Sequence, residues 1–166
     1  MKTLVTQLSN YARYHRDKRN IYTHFIGITL IVYALLVLLS RPSFTVLALS
    51  LTPAVLVVSI TCLYYLKLSL RLGLLMSALL VLGLLGAAPV AMLSTWLWLS
   101  VGIGLFVVGW VFQFVGHYYE GKKPAFVDDL IGLVIGPLFV VVEALFLMGL
   151  CKELQAQIEH QAGAIK

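Results

Sequence analysis

Residues 21–39, IYTHFIGITLIVYALLVLL, contain no Asp, Glu, Lys or Arg, and comparable apolar runs recur at 44–66, 72–93 and 95–115. Crossing about 30 Å of hydrocarbon takes roughly 20 helical residues at 1.5 Å each. The expected fold is therefore an all-α polytopic membrane helix bundle with four clear spans. A fifth apolar stretch, 125–150, opens on Asp128 and Asp129, is interrupted by Gly136–Pro137 and carries Glu143, so a broken or re-entrant segment is expected there. The chain reads as one membrane domain over 1–166, with an N-terminal interfacial segment at 1–20, the bundle at 21–150 and a polar tail at 151–166. Composition agrees: 61% of residues are hydrophobic and 11% charged, against about a quarter charged in soluble domains.

The net charge of +5 raises the question of nucleic acid, but the basic residues sit at the ends of apolar runs rather than in a stripe with stacking aromatics. No nucleic acid partner is expected. Topology accounts for them better. Residues 1–20 hold five Lys or Arg, the 40–43 loop one, 67–71 two, the 94–95 connection none and 116–124 two. The positive-inside rule then puts the N-terminus and the 116–124 loop together at the cytoplasmic face. Charge precedes the first apolar run, so no cleaved signal peptide is expected. Cys62 and Cys151 lack the close spacing of a zinc or redox motif and read as packing residues. Trp96, Trp98, Tyr118 and Tyr119 read as an interfacial belt.

The shared face makes neighbours of YHRDKRNIYTH (14–24) and GHYYEGKKPAF (116–126), which hold three of the four histidines. Upstream, Leu4, Leu8, Tyr11 and His15 recur at helical spacing, which predicts a short amphipathic helix at the interface with His15 continuing its apolar face. His15 and His24 would lie on opposite sides of one straight helix; a turn at RDKR, with Asn20 as N-cap of the next helix, lets them converge. Asn20 and His24 then share a helix face, as do Gln113, His117 and Glu120. Imidazoles with a carboxylate suit Fe(II), Zn(II) or Mn(II). The plainer alternative is that these residues cap helix ends and meet headgroups. Arg13, Arg16, Lys18, Arg19, Lys122 and Lys123 suit the carboxylate of an amphiphile or, equally, anionic lipid. Asp17, Asp128 and Asp129 read as partners of the imidazoles or as helix caps, and Glu143 as functional or as a partner of backbone freed by Pro137. His160, in a solvated tail, is set aside.

Two blocks carry a family resemblance across nearly the whole chain. The first is Tyr14, His15, Asn20, His24, Phe25 and Gly27. The second is Gln113, Phe114, Gly116, His117, Glu120, Gly121, Lys122, Lys123 and Pro124. Together with DDLIGLVIGPLF they resemble the membrane family that includes the fungal 2-hydroxy fatty acid dioxygenase of fatty-acid α-oxidation, with this chain as a bacterial-type member. Thr29 stands where the family commonly has proline, which should straighten the start of the first span. The resemblance implies an Fe(II) enzyme in which O2 cleaves the C1–C2 bond of a 2-hydroxy fatty acid. The expected site is a metal held by His15, His24 and His117, with Glu120 as carboxylate companion and Asn20 and Gln113 contacting ligands or substrate. Arg16, Arg19, Lys122 and Lys123 are expected to hold the substrate carboxylate, with membrane lipid around the spans. The expected location is a bacterial inner membrane, with the active site at the cytoplasmic face. The rivals are a small transport or lipid-binding protein and a zinc-dependent membrane hydrolase.

Overall fold

The computed structural model describes residues 3–46 and 49–166. Among them run helices α1 (Leu4–Ala12), α2 (Lys18–Ser40), α3 (Pro53–Leu68), α4 (Leu70–Ala91), α5 (Thr95–Glu120), α6 (Gly132–Leu147) and α7 (Lys152–Ala162). A 3-10 turn covers Ala125–Val127, and a two-stranded antiparallel hairpin pairs β1 (Phe44–Val46) with β2 (Leu49–Leu51), Phe44 opposite Leu51. The all-helical expectation holds. Three helices, α2, α4 and α5, are long and apolar enough to cross a membrane.

The expected second span, 44–66, is shorter than its apolar run. Pro53 lies at the start of α3 and not inside it, with Thr52 extended and its hydroxyl accepting the Val55 N–H. Proline suits a first helical turn and forces the residue before it out of the α region. The chain upstream therefore forms the hairpin, and α3 is left with 16 residues.

Contacts divide the chain into two units, residues up to Thr29 with Gly109–Lys166, and Leu30–Val108. In the second, α3 and α4 pack against each other across the single extended residue Ser69. The Tyr33 hydroxyl donates to the Gly86 carbonyl at 2.9 Å. Trp98 is more than a belt residue: its indole N–H donates to the Val37 carbonyl, and the Arg41 guanidinium lies 4.7 Å from its ring. Leu70, Leu74, Leu82 and Leu85 along α4 are exposed, as lipid-facing residues are.

In the first unit α1 packs on α6 and α7, so its apolar face is covered by protein rather than left for the interface. The tail expected to be solvated includes α7, whose Ile158 is fully buried. Cys151 is exposed, and its φ of 55° and that of Gly149 at 75° make the turn between α6 and α7, which bend by 117°. Glu143, read as functional or as a partner of backbone freed by Pro137, pairs with Arg16 at 3.4 Å. Arg16 also donates its backbone N–H to Glu120. Residues 120 and 143 are thus both anchored to Arg16. Thr29 lies within unbroken α2, and its hydroxyl donates to the Phe25 carbonyl at 2.7 Å, the group a proline there would leave unpaired.

Candidate metal centre

The α1 helix stops at Ala12, and two turn hydrogen bonds, Tyr14 N–H to Tyr11 and His15 N–H to Ala12, carry the chain inward so that His15 is fully buried. The helix cap of α2 is Asp17, whose carboxylate accepts the Arg19 N–H. Asn20 was expected to cap but lies inside the first turn, because the helix begins at Lys18. His24 follows one turn later, also fully buried, and His117 comes from the last turn of α5. The ligating atoms of His15, His24 and His117 all lie within 4.8 Å of one another.

The hydrogen bonds settle the imidazole tautomers. His15 Nδ1 lies 2.8 Å from the Tyr11 carbonyl and His24 Nδ1 2.9 Å from the Asn20 carbonyl. A carbonyl cannot donate, so both Nδ1 atoms carry the proton and both Nε2 atoms are bare in the neutral rings. Those Nε2 atoms face each other at 3.0 Å. Two buried lone pairs at this distance repel unless a proton or a cation lies between them. Burial, with His24 adding to it, holds His15 well below the ordinary histidine value, which disfavours the proton. His117 Nδ1 is buried with no hydrogen-bond partner among the described residues. The three nitrogens are close enough to share one ion, whose bonds to imidazole run about 2.0–2.1 Å, and neutral imidazole is the ligating form.

Around the imidazoles, the Tyr11 ring stacks on His15 with centroids 4.2 Å apart and planes within 5°, and Phe139 tilts against both. Two glycines bring α2 and α5 together. A Cβ on Gly116 would fall on the Thr23 hydroxyl and 2.5 Å from Asn20 Oδ1, and one on Gly27 would fall 2.5 Å from Gln113 Nε2.

The resemblance of the two blocks is borne out by comparison. The sequence matches the family described as Mpo1-like, 2-hydroxy-palmitic acid dioxygenase Mpo1-like, over residues 1–148. The chain belongs to the Mpo1-like family. The 2-hydroxy-palmitic acid dioxygenase MPO1 of Saccharomyces cerevisiae is 34% identical over 160 residues, covering 95% of this chain and 88% of that protein. No solved structure matches.

In this Mpo1-like chain Glu120, Arg16, Arg19, Lys122 and Lys123 have partners other than the imidazole nitrogens. Glu120 Oε2 accepts from the backbone N–H of Arg16 and of Asp17, both at 2.8 Å, and from Asn20 Nδ2 at 3.0 Å. Its carboxylate thus clamps the His15 loop to the end of α5 and is absent from the converging group. Asn20 bridges Glu120 and the Tyr14 carbonyl. Gln113 is buried, its Nε2 without a partner among the described residues. Arg16 is buried against the Ala12, His15 and Gly163 carbonyls and Glu143. Arg19 pairs with Asp17 and lies over Tyr119, Lys122 donates to the Arg13 carbonyl, and Lys123 pairs with Asp128, which also accepts the Tyr14 hydroxyl.

A clamp and a ligand respond differently to amide substitution. Glu120→Ala leaves three donors without their charged acceptor and is expected to lower stability by about 2–4 kcal/mol. Glu120→Gln keeps an acceptor oxygen and should retain metal near the parent level in metal analysis. Loss of metal in the glutamine variant alone would mark Glu120 as a ligand instead. Sequence reasoning missed Tyr11 as a partner of the site; the signal was its place four residues before His15, repeating the Asn20–His24 interval.

Proposed function

We propose that this chain is an iron-dependent membrane dioxygenase that cleaves the C1–C2 bond of 2-hydroxy fatty acids and releases an acid one carbon shorter. The observation that carries the reading is the pair of bare Nε2 atoms 3.0 Å apart beside His117, in a chain whose yeast relative is named a 2-hydroxy-palmitic acid dioxygenase. His15, His24 and His117 would hold Fe(II), which supplies oxygen activation and a seat for the substrate's hydroxyl and carboxylate.

The chain's own groups do the rest. The Tyr11 and Asn20 carbonyls hold the imidazoles in the ligating tautomer. Tyr11 and Phe139 cover His15 and keep water from it. Glu120 fixes the loop that carries His15. Apolar helix faces suit the alkyl chain, and the loop charges support a cytoplasmic location for the centre and the N-terminus, in a bacterial inner membrane.

Purified protein is expected to contain one iron per chain and to consume oxygen only when a 2-hydroxy fatty acid is added. Chelation should abolish uptake, and Fe(II) should restore it where Zn(II) does not. Three histidines also make up a catalytic zinc site, so stoichiometric zinc with no oxygen uptake would overturn the dioxygenase reading.

A further inference from the structure

Two open clefts flank the centre within the first unit. One, of about 190 Å³, lies between α1 and residues 125–135, and the other, of about 200 Å³, between the start of α2, the end of α6 and the C-terminal residues. They differ in their relation to the histidines. The second cleft is lined by Lys18, Ile21 and Glu143, and Glu143 is paired with Arg16, so a buried ion pair stands on that side. The first is lined by Tyr11, whose ring is stacked on His15 with centroids 4.2 Å apart. One residue thus belongs both to the cleft and to the surroundings of a proposed ligand.

The lining of the first cleft is amphiphilic. Its apolar wall includes Tyr11, Ala125, Gly132 and Ile135, and Arg13, Asp128 and Asp129 stand in the polar part. Lys123 and the Tyr14 hydroxyl already engage Asp128, whereas the Arg13 side chain makes no ion pair or hydrogen bond among the described residues. The Tyr11 hydroxyl likewise has no hydrogen-bond partner among the described residues, and a phenol can donate as well as accept.

We propose that this cleft is where the 2-hydroxy acid enters the centre, and that the Tyr11 hydroxyl donates a hydrogen bond to it. The proposal rests on the dioxygenase reading for its ligand class. It reassigns recognition of the acid from Arg16, Arg19, Lys122 and Lys123, each engaged elsewhere, to Tyr11 with Arg13 at the rim.

Thiol protection tests the cleft without depending on turnover. In full-length protein carrying Cys62→Ala and Cys151→Ala, a single thiol is placed by Asn10→Cys in the first cleft or by Lys18→Cys in the second. With 2-hydroxypalmitate at ten times its dissociation constant, maleimide labelling at Asn10→Cys should slow about tenfold, while labelling at Lys18→Cys is unchanged. Tyr11→Phe keeps the ring on His15 and should retain metal, while kcat/KM falls about tenfold for the loss of one hydrogen bond. Protection at Lys18→Cys in place of Asn10→Cys overturns the proposal. Turnover without protection at Asn10→Cys, and with Tyr11→Phe fully active, also overturns it but leaves the dioxygenase reading intact. Protection without any oxygen uptake supports the cleft and removes that reading instead.

Discussion

His24→Ala is expected to lose bound metal and oxygen uptake together, each by roughly a hundredfold or more. The estimate follows from taking one of three nitrogens from a site whose binding energy, by analogy with structural metal sites, is on the order of 10 kcal/mol. His24 is fully buried, with Nδ1 bonded to the Asn20 carbonyl and Nε2 facing His15. Alanine leaves no donor nearby to replace it, since Glu120 is held by three hydrogen bonds. His15→Ala and His117→Ala should behave alike, and metal content read beside oxygen uptake separates loss of ligand from loss of substrate binding. Full iron occupancy after all three substitutions would refute the ligand set while leaving the activity open.

The convergence of the histidines was legible because loop charge and span parity act over the whole chain. They place 14–24 and 116–126 at one face whatever the packing between them. Helical spacing predicts neighbours where the helix continues, as for Asn20 with His24, and says less where it stops. Glu120 sits three residues from His117, but α5 ends there, and the carboxylate turns to the exposed N–H groups ahead of α2. A helix start attracts an anion as a metal does, and residue spacing alone does not distinguish the two. Arg16 shows the other limit. Its partner Glu143 is 127 residues away and its neighbour Gly163 is 147 away, so nothing local marks it as structural. The polar tail is helical and largely exposed, His160 included, but its packing on α1 was not legible: α7 buries little beyond Ile158, too few apolar residues to register as a pattern.

Gly116→Ala should damage the centre without touching a ligand. The added Cβ would fall on the Thr23 hydroxyl, 2.5 Å from Asn20 Oδ1 and 2.9 Å from His24 Nδ1. None of these three can yield independently. The Thr23 hydroxyl and His24 Nδ1 both donate to the Asn20 carbonyl, and the Asn20 side chain is held by Glu120 and Tyr14. The helices must separate instead, and His117, one residue along from Gly116, moves with α5. Overpacking of this kind costs about 1–3 kcal/mol, so the protein should still fold but bind metal weakly, seen as a lowered melting temperature and faster loss of metal to a chelator. Alanine at Gly104, where a Cβ meets nothing within 4 Å, is the matched control on the same helix and should leave both unchanged. Equal effects at the two positions would mean that helix propensity, and not the contact between α2 and α5, sets the response.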